Sequence, residues 1–211
     1  MTTLLKPAGL LVAFEGIDGA GKTTQAGLLE DWLRPTAIEV VRTKEPTNGK
    51  WGQLVRQSAS TGRLSPDEEL HAFLEDRRGH VATLINPALH KGQIVIVDRY
   101  YFSTAAYQGA RGRDPVELLR INEAFAPKPD LLVLLAIETP VAMQRIRQRG
   151  ELDNKFEREE DLKKSARIFD SLAAPYLLKL DGTRAPQAIA GDIAAAMSRL
   201  PALAAHLARN S

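Results

Sequence analysis

The chain has 211 residues, 44% of them hydrophobic and 26% charged, with a formal net charge of +2. That is enough apolar material for one globular core, and the near-neutral balance argues against nucleic acid as a partner. The absence of cysteine excludes disulfides, thiolate metal sites and cysteine nucleophiles, and no apolar run reaches the ~20 residues that cross a bilayer.

Residues 1–9 carry one lysine and only Leu4 and Leu5 in place of a hydrophobic signal core, so a cytoplasmic location away from membranes is the expectation. Leu10–Glu15 is apolar up to its last residue and reads as a strand running into glycines. A helix is expected over Lys22–Leu33, a second strand over 37–42 and a helix over 52–60. A long helix over 66–90 follows, then a run of four β-branched residues at 94–97 bounded by Gly92 and Asp98, the clearest strand of the chain. Helical patterns at 115–125, 140–149, 159–174 and 186–200 alternate with strands at 131–137 and 176–180. Pro66, Pro115, Pro140 and Pro186 each stand where a helix begins, a place where proline's missing N–H is no loss. Strands apolar on both faces and separated by helices predict a three-layer α/β fold around a five-stranded, mostly parallel sheet. No repeat or linker divides the chain, and one domain over 1–211 is expected.

Residues 16–23, Gly16-Ile17-Asp18-Gly19-Ala20-Gly21-Lys22-Thr23, match G-x-x-x-x-G-K-[ST] in full, between a predicted strand and a predicted helix. Glycines let several backbone N–H groups converge on a phosphate, and the helix start adds its positive dipole end. Lys22 is placed on the β- and γ-phosphates of ATP, and the Thr23 hydroxyl on a magnesium ion (Mg2+). Thr24 completes the ATP-binding run. A plain glycine-rich turn with a capping threonine would need neither the lysine nor this spacing. GTPases read guanine with N-K-x-D; the nearest run, Asn154-Lys155-Phe156-Glu157, ends in Glu and follows an arginine-rich stretch instead of a strand. After the strongest strand come Asp98, Arg99 and Tyr100, where residues of an α/β sheet line the ligand crevice. Asp98 suits a metal's water shell and Arg99 an anionic acceptor, although by themselves the two fit a loop ion pair equally well.

At this point the residues resemble a known family. Glu15–Gln25 is similar to the phosphate loop of thymidylate kinases, and Asp98–Gly109 resembles their D-R-Y-x-x-S-x-x-A-Y-Q-G signature over its whole length. Thr43-Lys44-Glu45-Pro46 resembles T-R-E-P, and residues 69–80 match E-L-x-x-F-x-x-D-R-x-x-H. The resemblance covers nearly the entire chain and implies a P-loop nucleoside monophosphate kinase fold, a reaction of ATP with dTMP giving ADP and dTDP, and a homodimer. It places Phe73 on the thymine face, Arg77 on a thymine carbonyl and Arg99 on the dTMP phosphate. It sets Asp18 and Tyr107 against the deoxyribose, Ser103, Thr104 and Gln108 in the same pocket, and Glu45 near the metal and acceptor phosphate. From periodicity alone Phe73 reads as core.

Some members resemble this chain but carry an arginine where it has Gly19, and those without it look to a mobile lid for the cation. Here the lid is expected at about 145–158, with Arg149 as the catalytic cation beside Lys22, Asp18 and Arg99, and Lys155 and Arg158 as alternatives. A solvated helix balanced by the acidic residues of 157–161 competes with each. Two departures bear on the acceptor: Thr47-Asn48-Gly49 after Pro46 in place of Gly-Gly, and Lys44 in place of Arg. They keep open a kinase for another monophosphate, and a regulator that binds nucleotide without turnover is the third alternative. His71, His80 and His90 read as surface or capping residues, since none has a metal-type spacing.

Overall fold

Five strands form one parallel sheet in the order β2-β3-β1-β4-β5, seen in a computed structural model that describes residues 9–36, 38–61, 64–150 and 155–210. The strands are β1 (Leu10–Glu15), β2 (Val40–Lys44), β3 (Ile94–Asp98), β4 (Leu131–Ala136) and β5 (Leu177–Asp181). Successive side chains point to opposite faces, and burial of both faces explains the continuous hydrophobicity of β1, β3 and β4. Leu10, Val12, Phe14, Ile94 and Ile96 enter one core with α1 (Lys22–Leu33), α9 (Pro186–Ser198) and α10 (Pro201–Asn210). Leu11, Ala13, Val95, Val97 and Leu132 enter the other, with α4 (Asn86–His90), α5 (Tyr101–Ala110), α7 (Thr139–Gln148) and α8 (Lys155–Asp170). Each fully buried Leu, Ile or Val contributes roughly 1.5–3 kcal/mol, so these two layers hold the sheet.

The remaining helices are α2 (Lys50–Thr61), α3 (Pro66–His80) and α6 (Pro115–Glu123). Helix α3 starts with a capping box: Ser65 Oγ accepts from the Glu68 amide while Glu68 accepts from the Ser65 amide, with Pro66 in the first turn. The long helix expected over 66–90 is helical throughout but passes through a π turn at Val81–Ile85, where the Asn86 amide donates to Val81. Pro87 has no N–H to give the Thr83 carbonyl and its ring crowds that carbonyl, and the wider turn absorbs the mismatch. The second strand lies further along than expected, at Val40–Lys44 instead of 37–42. Helices α5 and α10 were not expected, and the sheet is parallel throughout.

Strand β1 is followed by α1 on one face, and its neighbour β3 by α5 on the other. A crevice opens where adjacent strands diverge in this way, at their carboxyl ends. The residues after Glu15, Lys44 and Asp98 all meet there. Among the described residues no helix is long and apolar enough to cross a membrane.

Candidate active site

The turn after β1 forms because glycine stands where other residues would be strained. Gly16 has φ +135°, and a Cβ on it would lie 2.4 Å from the Leu135 carbonyl oxygen. Gly19, at φ +83°, lies against α7, with its Cβ position 2.8 Å from the Ala142 carbonyl oxygen. Gly21 caps α1 without a side-chain acceptor. Lys22 is buried, and its Nζ donates to the carbonyls of Gly16 and Ile17 at 2.9 Å each. Burial first, and the Arg99 charge second, lower its pKa to about 8, against the pull of Asp18, Asp98 and Glu15. A bound polyphosphate would restore full charge.

The Thr23 hydroxyl donates to the Asp98 carboxylate, so Asp98 faces the phosphate loop and does not pair with its neighbour Arg99. Two adjacent hard oxygen donors at a phosphate site suit magnesium, which keeps several waters and takes its other ligands from phosphate. Among the described residues no cluster of three or more acidic, His or Cys side chains offers a fuller metal cage. Thr23 and Asp98 line a cavity of about 210 Å³ together with Asp18, Lys22, Lys44, Glu45, Arg99 and Arg149. Arg149, the residue that ends α7, thus reaches the same space as Lys22. Arg145, one turn earlier, is instead tied to the backbone, its Nη1 donating to Gly19 O at 3.2 Å and Gly182 O at 3.0 Å. Of the other expected lid residues, 151–154 and the side chains of Lys155 and Arg158 lie outside the described residues.

A second cavity of about 280 Å³ adjoins the first and shares Asp18, Glu45 and Arg99 with it. Phe73, Arg77, Ser103, Thr104, Tyr107 and Gln108 line it, so every expected acceptor residue faces one space. Arg99 adopts φ +69°, left-handed for a non-glycine residue, and pairs with Asp18 while its Nη1 donates to Ser103 Oγ at 3.1 Å. Its guanidinium lies over the Tyr107 ring at 5.3 Å. Tyr107 Oη accepts from the Asp18 amide at 3.1 Å, and burial pushes the phenol up to about 12, which keeps its own proton in place to donate.

Arg77 is almost fully buried and spends four of its five N–H groups on protein. Nε and Nη2 donate to Glu45 Oε2 at 2.8 and 2.6 Å, Nη1 to Asn122 Oδ1 at 2.6 Å and Nη2 to Thr104 Oγ1 at 3.1 Å. His80 is a correction to the sequence reading. It is 5% exposed, with Nδ1 3.0 Å from Glu45 Oε1 and Nε2 2.8 Å from Thr43 Oγ1. The carboxylate accepts from Nδ1–H, which fixes how the ring is set. Gln108 Nε2 donates to Glu69 Oε2 at 2.9 Å, and since a carboxylate only accepts, the amide orientation is determined. Gln108 Oε1 is left buried with no hydrogen-bond partner. In the altered loop, Thr47 donates through N and Oγ1 to the two oxygens of Asp76 at 2.7 and 2.6 Å, so its side chain fastens the loop to α3.

Sequence reasoning missed Glu15, His80 and Asn122. His80 stands three residues after Arg77 on the same helix face, a signal that was present; Asn122 on α6 offered none.

A family model described as thymidylate kinase matches residues 14–193 of this chain. A thymidylate kinase of Xanthomonas oryzae pv. oryzae (strain PXO99A) is 54% identical over 175 residues, covering 83% of this chain and 77% of its own. One from Akkermansia muciniphila is 48% identical over 190 residues, covering 90% and 92%. A third, from Xanthomonas campestris pv. campestris (strain B100), is 53% identical over 175 residues, again 83% and 77%.

Proposed function

The chain belongs to the thymidylate kinase family, and from that premise we propose how its residues divide the transfer of the γ-phosphoryl group of ATP to dTMP. It is a nucleoside monophosphate kinase. The observation that carries the division is the pair of adjoining cavities, one walled by the phosphate loop and one of nucleoside size, that share Asp18, Glu45 and Arg99. The donor phosphates lie on the backbone of residues 16–24, with Lys22 on the β- and γ-phosphates. Thr23 and Asp98 would hold magnesium, which would supply charge neutralisation at the donor phosphates. Arg99 grips the acceptor phosphate bidentately, freed in part from Asp18, which turns to the 3′-hydroxyl. An oxygen of the dTMP phosphate then attacks the γ-phosphorus as the bond to the β–γ bridging oxygen breaks, leaving ADP. Lys22, Arg99 and Arg149 balance the charge of the moving group, with 145–158 serving as the lid of a single kinase domain.

The base is read by the second cavity. Gln108 Oε1 accepts the thymine N3–H, a donor that cytosine lacks. The one remaining N–H of Arg77 meets a base carbonyl, and Phe73 stacks on the ring. Tyr107 fills the space beside the sugar where a ribose would carry its 2′-hydroxyl. The resemblance adds a cytoplasmic homodimer; sedimentation near twice 23.1 kDa would support the dimer. A steady-state panel of nucleoside monophosphates with ATP tests the whole. We expect dTMP to lead and dCMP to fall far behind, and UMP or CMP exceeding dTMP tenfold in kcat/KM would overturn the assignment.

A further inference from the structure

Glu15 is a fully buried carboxylate at the end of β1 for which phosphoryl transfer as described has no use. It faces the start of α5. Oε1 accepts from the Tyr100 amide at 2.8 Å and from the Ser103 amide at 3.0 Å, and Oε2 accepts from the Ser103 hydroxyl at 2.6 Å. Helix α5 needs this, because its own N-cap, Tyr100, has no side-chain acceptor and its first turn has no acidic residue. Glu15 therefore performs both halves of a capping box from another strand, satisfying the amides at the N-cap and at the third helical position. The Ser103 oxygen, with its proton committed to Glu15, presents a lone pair to Arg99 Nη1. Arg99 sits in its left-handed conformation directly before the capped turn, its amide bound to the Phe14 carbonyl at 2.9 Å.

We propose that Glu15 is a positioning residue for acceptor binding: by capping α5 and orienting Ser103, it fixes the guanidinium of Arg99 relative to the phosphate loop that begins at Gly16. The residue before the donor loop thus holds the acceptor's clamp, so the two halves of the site are set by a single carboxylate. The Arg99 guanidinium is the charge that acts on the Glu15 carboxyl, and loss of that carboxyl acts on Arg99 through Ser103.

The inference rests on dTMP being the acceptor, so the test begins with wild-type turnover. If another monophosphate is preferred, the assignment of dTMP fails, and the Glu15 arm is then read on that acceptor. Glu15→Gln keeps the size and the carbonyl that accepts from both amides, but replaces the acceptor of the Ser103 proton with a donor. At pH 8, where the Glu15 carboxyl is ionised, we expect kcat/KM for dTMP to drop roughly ten- to a hundredfold, the size of one charge-assisted hydrogen bond, with KM for ATP within about twofold of wild type. Equal loss of both substrates would mean a merely structural role and overturn the proposal, as would an unchanged dTMP term. Ser103→Ala in combination separates the route. If the effect runs through Ser103, Glu15→Gln adds less than about twofold to it, whereas a full additional loss overturns the relay.

Discussion

Replacing Arg77 by Met isolates how much of the acceptor pocket is held together by one buried ion pair. The side chains of Arg77 and Glu45 are 2% and 4% exposed, so neither charge is screened by water. Removing one partner of such a pair destabilises by roughly 3–5 kcal/mol, because the other remains buried and uncompensated. Two features of the site adjust that figure in opposite directions. His80 Nδ1–H, 3.0 Å from Glu45 Oε1, still donates to the stranded carboxylate and lessens the loss, while Asn122 Oδ1 loses its donor, worth about 1–3 kcal/mol when buried. The two nearly offset, and we expect a loss of about 4 kcal/mol, a large share of the ~5–15 kcal/mol that holds a domain folded. Urea unfolding followed by Trp32 and Trp51 fluorescence measures it. The double change Arg77→Met with Glu45→Met removes both charges and should lose about 2 kcal/mol less than Arg77→Met alone. A single-variant loss under about 1 kcal/mol, or a double variant as unstable as the sum of the singles, would refute the reasoning.

Lys22→Ala should lower kcat at least a hundredfold, roughly the weight of one preorganised charge at the transition state, and unchanged turnover would remove the phosphate-loop assignment. Phe73→Ala should raise KM for dTMP about tenfold without changing ATP affinity, the stacking share of binding, and calorimetric titration with each nucleotide would expose an equal loss for both. Glu15 makes stability depend on pH. Burial raises its carboxyl from 4.5 to about 7, against the lowering by Ser103, Arg99 and Tyr100, so between those values the folded state holds a proton that the unfolded chain has released. Stability contributed by this group is present below the unfolded value and lost as pH rises through the folded one, by up to roughly 3 kcal/mol. Denaturation at pH 5 and pH 8 should show wild type losing stability relative to Glu15→Gln as pH rises; a pH-independent difference would disprove it.

Elements whose signals are local were readable in the sequence, and those whose signals come from elsewhere were not. β1 and α1 fall where the apolar run and the glycine motif place them, and Pro66, Pro115 and Pro186 each open a helix. α5 escaped notice because nothing near its start resembles a cap. The acceptor that satisfies its amides is Glu15, 85 residues before Tyr100, and the helix itself runs through Tyr, Phe, Ser and Thr without a helical stripe. β2 was placed early because its last residues, Arg42-Thr43-Lys44, look like loop; they are strand because their backbones pair with Ile96, Val97 and Asp98 of β3. The acceptor residues were found through family register, not physics: a half-buried Phe73 on a helix gives no hint that it faces a cavity. His80 was judged only for metal spacing, and its carboxylate partner, Glu45, lies just past the end of β2, 35 residues away.

The contact between Gly19 and α7 divides two ways of building this kind of enzyme. An arginine at position 19 would have to adopt a left-handed backbone and push its Cβ toward the Ala142 carbonyl, so it enters only if α7 moves back. But α7 is capped at its C-terminus by Arg149, and its Arg145 is hooked onto the Gly19 carbonyl itself. Placing an arginine in the phosphate loop is therefore not a one-residue exchange: the same step that installs it would unhook Arg145 and shift Arg149. A lineage or an engineer moving between the two arrangements would have to change loop and helix together.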